Sequence, residues 1–102
     1  MTCEELFDVI VERANASSNE SWTAKLLSQG PEKCAEKFGE EAVEAIISAV
    51  RKDKDGLIME TADVLYHLFV MLKSQNIHLS DVLQELEKRR FKSGIMEKLQ
   101  RG

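Results

Sequence analysis

Five acidic side chains in the middle of the chain have the types and spacing of a metal-binding cluster. They form two groups, Glu40-Glu41-x-x-Glu44 and Glu60-x-x-Asp63. On a helix, residues three or four positions apart lie on the same face, so each group would present its carboxylates together. Four or five carboxylates converging on one point would repel one another unless cations lay between them. Oxygen ligands of this kind select hard ions such as Mg²⁺, or Mn²⁺ as a substitute.

The apolar setting of the second acidic group favours a metal site over a solvated surface. An acidic run with interleaved lysines is usually an exposed helix face, and the first group taken alone would fit that description. Glu60 and Asp63, however, lie in an apolar stretch, and no Lys or Arg occurs between residues 57 and 72. A helix that is apolar almost all round is expected to be buried, and buried carboxylates need a cationic partner or a metal.

The hydrophobic pattern around the two groups predicts an all-α domain of four to five helices. We expect helices at residues 2–15, 21–28, 31–51, 57–75 and from Ser80 onward, followed by a basic tail at 91–102. Thr2 and Ser80 are the expected caps of the first and last helices, and Gly30-Pro31 is the expected start of the third. A turn at 52–56 would make the third and fourth helices antiparallel neighbours, which brings the acidic groups together. Gly39, inside the third helix, predicts a close approach by another backbone or a ligand.

Composition and length exclude several classes of protein. The chain of 102 residues has the length of one domain, residues 1–102, and its net charge of -4 argues against nucleic-acid binding. Cys3 and Cys34 lack the spacing of a metal site. With no signal peptide and no segment long enough to span a bilayer, we expect a cytoplasmic protein with free thiols and no membrane partner.

The apolar surface of the fourth helix predicts association. Residues 57–72 present more apolar surface than three companion helices in so small a domain can easily cover. We therefore expect a homodimer whose interface includes this helix.

Three runs of sequence carry a resemblance to a known family. They are SWTAKLL at 21–27, GPEKCAEKFGEEAVE at 30–44 and ETADVLYHL at 60–68. Together they closely resemble phosphoribosyl-ATP pyrophosphatases, which are all-α MazG-like nucleoside triphosphate pyrophosphatases. The resemblance implies a MazG-like helical bundle completed by dimerisation, Mg²⁺ dependence, and hydrolysis of phosphoribosyl-ATP to phosphoribosyl-AMP and pyrophosphate. This reaction is the second step of histidine biosynthesis.

The acidic residues can be given roles in such a reaction, which requires a deprotonated water placed in line and neutralised phosphates. The predicted metal ligands are Glu41, Glu44, Glu60 and Asp63. Glu40 is either a further ligand or the base that accepts the water's proton, so Glu40, Glu41 and Glu44 form the predicted catalytic group.

Basic residues near the acidic groups are candidates for binding the substrate. Lys25, Lys33 and Lys37 are placed to offset the triphosphate, and Arg90 could reach the phosphoribosyl group across a dimer interface. Lys33 and Lys37 lie one helical turn apart, and Lys37 lies one turn from Glu41. The alternative for these lysines is ordinary pairing with glutamates on the same helix, which contributes only a few tenths of a kcal/mol.

Four other candidates are aromatic residues, and three of them have both a structural and a functional interpretation. Trp22, the sole tryptophan, fits a hydrophobic anchor as well as a ligand contact. His67 could bind a ligand carboxylate, but we expect a core histidine with its hydrogen bonds satisfied. Tyr66 could stack on a base, but we expect it to pack in the dimer interface. We expect His78 to be an incidental loop residue.

Two alternative functions agree with part of this interpretation. A house-cleaning (d)NTP pyrophosphatase of the MazG or dimeric dUTPase type would retain the metal cluster and change the substrate. A helical interaction module would instead use its acidic helices to bind a basic partner. The module would release no pyrophosphate and would leave the apolar setting of Glu60 and Asp63 unexplained.

Overall fold

A computed structural model of the chain describes residues 1–90 and residue 98. The described residues form five α-helices: α1 (Cys3–Ala14), α2 (Trp22–Ser28), α3 (Pro31–Val50), α4 (Lys54–Ser74) and α5 (Leu79–Lys88). No strand occurs in this part of the chain, which confirms the all-α prediction. Apart from Lys98, the predicted basic tail lies outside the described residues.

Local sequence signals set the beginnings of the first four helices. Thr2, Ser21 and Asp53 each accept the amide N–H three residues further on, at 3.0 to 3.1 Å. These bonds satisfy donors that the first helical turn leaves without a partner. Before α3, Gly30 adopts φ +95°, and Pro31 follows at the first helical position, where its missing N–H costs nothing.

The connection between α3 and α4 is shorter than predicted. The expected turn at 52–56 spans only 51–53, because the Asp53 cap allows α4 to begin at Lys54. A methyl group on Gly56 would collide with the Asp53 carboxylate, so glycine is needed beside this cap.

The cap of α5 was predicted wrongly. His78, and not Ser80, is the N-cap: its Nδ1 accepts the Ser80 amide at 3.0 Å, and Asp81 accepts the His78 amide at 3.2 Å. The His78 ring also packs edge-on against Phe7, with 4.9 Å between ring centroids. His78 is therefore a structural residue and not an incidental one.

Helices α3 and α4 form an antiparallel hairpin. The Ser48 hydroxyl lies beside Gly56 near the connection. Further from the connection, the Glu41 carboxylate approaches Asp63, and Cys34 lies beside Ser74 at the far end. These contacts run in opposite directions along the two helices, as the short connection requires.

The hydrophobic core lies at the end of the hairpin away from the connection. It comprises buried side chains from all five helices: Phe7, Ile10, Leu26, Cys34, Phe69, Val70 and Leu79. Cys34 donates its S–H to the Leu26 carbonyl at 3.4 Å, and burial raises the pKa of its thiol. Cys34 is thus a small core residue, as expected from its helical position.

The half of the hairpin nearest the connection projects beyond this core. Its large exposed apolar side chains are Val43, Ile46, Ile47, Val50, Ile58, Met59 and Leu65. The prediction that α4 is buried on nearly every side is therefore wrong for its N-terminal half within one chain. The radius of gyration, 15.7 Å, also exceeds the roughly 13 Å expected for a compact domain of this length.

Two further sequence expectations can be compared with the described residues. Outside the neighbouring part of its own helix, no atom of these residues lies within 4 Å of the position that a Cβ on Gly39 would occupy, so none of them makes the predicted close approach. None of their helices combines the length and the apolar composition needed to cross a membrane.

The Asp53 cap can be tested by substitution. Asp53→Ala removes the acceptor of the Gly56 N–H and should lower the free energy of unfolding by about 1 kcal/mol. Asp53→Asn keeps an acceptor and should cost much less. Urea denaturation at one fixed protein concentration, followed by circular dichroism, measures both. Equal losses in the two variants would show that the lost charge, and not the cap, is responsible.

Candidate metal centre

Three carboxylates from α3 and α4 meet on one side of the hairpin. One oxygen each from Glu41, Glu60 and Asp63 can be chosen so that all three lie within 4.8 Å of one another. Glu60 and Asp63 share a face of α4, and the antiparallel packing places Glu41 opposite them. Glu41 and Glu60 are half-buried and Asp63 is exposed, so the group opens to solvent on one side.

It is electrostatically unfavourable to bring these three carboxylates close together when all of them are ionised. The pKa of Glu60 is raised, first by partial desolvation and then by the negative charges of Asp63, Glu41 and Glu44. A hydrogen bond between Glu60 and Glu41 raises that pKa further, since it requires a shared proton. The group therefore disfavours its fully ionised state, which a bound cation would favour.

The three carboxylates fit a divalent metal ion. Two oxygens on one Mg²⁺ ion, each about 2.1 Å from it, lie no more than about 4.2 Å apart. The 4.8 Å limit of this group is close to that value, so small side-chain rotations suffice. The donor set contains only oxygen, which suits a hard ion and not a thiolate-binding or imidazole-binding metal.

The other two predicted acidic residues lie outside this group of three. Glu44 is exposed one turn along α3 from Glu41, and its charge acts on Glu60. Glu40 is also exposed, and its Oε2 lies 3.5 Å from the Lys37 Nζ. The structure thus brings together three of the four predicted ligands and leaves the role of Glu44 a prediction.

Comparison with known proteins identifies the family to which the chain belongs. Residues 3–90 match the model of the phosphoribosyl-ATP pyrophosphohydrolase family. The chain belongs to this family. A phosphoribosyl-ATP pyrophosphatase of Roseobacter denitrificans is 62% identical over 98 residues, which cover 96% of this chain and 93% of the relative.

Two further relatives carry the same description. One from Cereibacter sphaeroides is 59% identical over 99 residues, 97% of this chain and 96% of the relative. One from Paracoccus denitrificans is 59% identical over 96 residues, 94% of this chain and 89% of the relative. The similarity therefore extends over nearly the whole length of the chain.

Within this phosphoribosyl-ATP pyrophosphohydrolase domain, the three predicted lysines have different surroundings. Lys37 pairs with Glu40 and not, as one alternative had it, with Glu41. Lys33 pairs with Glu36 at 3.3 Å. Lys25 lies elsewhere, with its Nζ 5.7 Å from the centroid of the Trp22 ring.

Arg90 lies at the far end of α5, where its guanidinium is 3.2 Å from Glu87. The predicted contact of Arg90 with substrate would be made across a dimer interface, so a single chain does not test it. Arg89, beside it, pairs with Glu85 at 3.1 Å.

His67 is buried but not satisfied, contrary to the expectation from sequence. Its side chain is 8% exposed, and its Nδ1 has no hydrogen-bond partner among the described residues. Its pKa is lowered first by burial and also by the Lys37 charge, while Asp63 and Glu40 oppose that shift. His67 is therefore a buried side chain one turn beyond Asp63, where burial favours its neutral form. The only sequence signal for a histidine near the carboxylates was its position one turn after Asp63.

Trp22 is not the anchor that one interpretation of the sequence predicted. Its side chain is 53% exposed, whereas the following residues Thr23, Ala24 and Leu26 are buried. The role of packing α2 onto the core belongs to those three residues. Trp22 instead projects from the helix.

Removing the charge of Glu60 should stabilise the metal-free protein. Because the folded-state pKa of Glu60 is raised, its ionised form disfavours folding at pH values above that pKa. Glu60→Gln should therefore melt at a higher temperature than the unsubstituted protein at pH 8 in EDTA. The difference should shrink as the pH falls through the Glu60 pKa, because the native carboxyl is then protonated.

Differential scanning fluorimetry across this pH range measures the effect. Glu12→Gln, which removes a charge from the exposed face of α1, is the matched control and should show no such trend. Added Mg²⁺ should raise the melting temperature of the unsubstituted protein more than that of Glu60→Gln. A Glu60→Gln protein that melts lower than the unsubstituted protein at pH 8 would contradict the proposed repulsion.

Proposed function

We propose that this protein is a phosphoribosyl-ATP pyrophosphatase. It hydrolyses the bond between the α and β phosphates of phosphoribosyl-ATP and releases phosphoribosyl-AMP and pyrophosphate, the second step of histidine biosynthesis. The observation that carries the proposal is the group formed by Glu41, Glu60 and Asp63. It occurs in a chain about 60% identical, over nearly its full length, to relatives of that name.

The metal of the proposed reaction is Mg²⁺, for which Mn²⁺ can substitute. Glu41, Glu60 and Asp63 would hold it, and Glu44 would supply a fourth carboxylate from the next turn of α3. A divalent ion held there would supply the acidity needed to deprotonate water and the positive charge needed to offset the phosphates. The half-buried setting of Glu41 and Glu60 supports this ligand set, since partly desolvated carboxylates gain most from a cation.

Glu40 is assigned as the base that accepts the proton of the attacking water. It adjoins Glu41 on α3, yet its carboxylate is exposed and lies outside the group of three. Its oxygens therefore remain available to a water molecule that approaches from solvent. Its pairing with Lys37 at 3.5 Å limits the directions in which the carboxylate can point.

Lys37 is the lysine best placed to bind the triphosphate. It lies one turn from Glu41 on the same face of α3 and is near enough to act on His67. Lys33 lies one further turn away, so it can contact the outer part of the phosphate chain. Lys25 and Arg90 serve the parts of the substrate more distant from the metal.

Substitution of the carboxylates tests these assignments. Glu41→Gln and Asp63→Asn should each reduce turnover of phosphoribosyl-ATP by more than about 100-fold, because loss of residues that merely orient ligands already costs 10- to 100-fold. The helical circular dichroism spectrum should be unchanged. Glu44→Gln should show a similar loss if its carboxylate completes the ligand set.

The matched control is Glu36→Gln, which removes an exposed α3 carboxylate paired only with Lys33 and should retain activity. Pyrophosphate release measures all four variants. Normal Mg²⁺-dependent turnover by Asp63→Asn would contradict the ligand assignment. Faster turnover of dUTP than of phosphoribosyl-ATP by the unsubstituted protein would instead favour a house-cleaning role.

We also propose that the protein is a homodimer that acts in the cytoplasm. The projecting half of the α3–α4 hairpin carries a surface rich in large apolar side chains, and soluble monomers rarely expose such surfaces. A second copy packed on this half would bury them and would shield one side of the carboxylate group. Both cysteines are free thiols, which agrees with a reducing compartment.

The dimer is tested by placing a charge on this surface. Ile58, 69% exposed, should become part of the interface, so Ile58→Asp should shift the sedimentation coefficient at micromolar concentration from that of a dimer to that of a monomer. Ser18→Asp, which adds the same charge in the exposed α1–α2 connection, should remain dimeric. A monomeric unsubstituted protein would overturn the proposal.

A further inference from the structure

The α1–α2 connection and the start of α2 form two cavities that share Trp22 as a wall. One, the Arg13 cavity, measures about 550 Å³ and extends from Arg13 on α1 to Tyr66 on α4. The other, the Lys25 cavity, measures about 350 Å³ and lies against the connection, with Lys25 in its wall. The first volume falls within the range typical of small-ligand sites.

The backbone that carries Trp22 is held firmly. The Thr23 hydroxyl, which is 1% exposed, shares a 2.6 Å hydrogen bond with the Tyr66 hydroxyl and so ties α2 to α4. Ser21 caps the helix on the other side of Trp22. The backbone at Trp22 is therefore preorganised, which lowers the cost of ordering this segment on binding.

The charges around the indole suit a nucleotide. Arg13 forms no ion pair with any other described residue and lines the Arg13 cavity, while the Lys25 ammonium lies 5.7 Å from the Trp22 ring centroid. Glu20 lines both cavities and leaves each of them with both signs of charge. An exposed aromatic ring with a cation in the wall of each neighbouring cavity fits a planar base that carries phosphate groups.

The Arg13 cavity is also close to the candidate metal centre. Tyr66, in its wall, follows Asp63 by three residues, which is less than one turn and about 4.5 Å along the axis of α4. A ligand with its phosphates at the carboxylates can therefore extend along α4 into this cavity.

We propose that Trp22 is the base-stacking residue of the enzyme. The adenine ring of the substrate lies in the Arg13 cavity against the indole, and Arg13 contacts the ribosyl phosphate attached to that ring. This assignment rests on the proposed function for the identity of the substrate. The location proposed for the base rests on the two cavities and on the exposure of Trp22.

The sole tryptophan of the chain provides a direct test, since its fluorescence reports on Trp22 alone. The probe is AMP, which contains the base but no phosphoanhydride to hydrolyse, added to metal-free protein with excitation at the red edge of the indole band. Saturable quenching by AMP, absent with ribose 5-phosphate, is the expected result. Quenching that is equal with both, or absent with both, would overturn the proposal.

Kinetics of two variants give a second readout. Trp22→Ala should raise KM for phosphoribosyl-ATP by about tenfold or more, because base stacking on an aromatic residue typically contributes that much. Trp22→Phe keeps an aromatic face and should recover most of this loss. Equal KM values for Trp22→Ala and the unsubstituted protein would contradict the assignment.

Two measurements separate this proposal from the others. AMP should still quench the Trp22 fluorescence of Asp63→Asn. The stacking proposal can therefore be confirmed even if the metal-site assignment is wrong. An emission maximum that changes with protein concentration but not with AMP would place Trp22 in a subunit interface and exclude the stacking role.

Discussion

Helices α3 and α4 hold the carboxylates of Glu41, Glu60 and Asp63 together although like charges repel one another. Partial desolvation, and then the charges of Asp63, Glu41 and Glu44, raise the pKa of Glu60, so the ionised group disfavours the folded state. The packing of α3 against α4 must offset this cost in the metal-free protein. A divalent ion bound there would offset this cost, so the residues that destabilise the metal-free protein are the same ones that are proposed to bind the metal.

The remaining helices keep the α3–α4 hairpin in register. At one end, the short connection and the Asp53 cap fix where α4 begins. At the other end, α1, α2 and the start of α5 pack around the hairpin and form the core. The carboxylates lie between these two ends, so their spacing is set by elements that take no part in the chemistry. The exposed apolar half of the hairpin leaves room for a second subunit beside the site.

Local patterns in the sequence predicted much of this arrangement. The cap at Thr2, the Gly30-Pro31 start of α3 and the spacing of the acidic residues are short-range signals, and the structure agrees with them. The α5 cap was missed because histidine is a rare N-cap, and its role depends on a ring contact with Phe7 from a distant helix.

Burial was the property that the sequence predicted least well. Apolar composition indicated that α4 would be covered, but composition does not say whether the cover comes from the same chain or from a second copy. The same limit applies to Trp22, whose exposure follows from Thr23 and Leu26 occupying the core positions of α2. The unpartnered Nδ1 of His67 likewise depends on how α3 packs over α4, which helical periodicity alone does not specify.

An anomalous-difference map from crystals grown with Mn²⁺ would show whether the carboxylates of α3 and α4 bind a divalent metal. We predict a peak within bonding distance of oxygens from Glu41, Glu60 and Asp63, at the face of the hairpin where the three converge. A map with no peak there, or with these carboxylates turned apart and the ion bound elsewhere, would contradict a metal-dependent site built by α3 and α4.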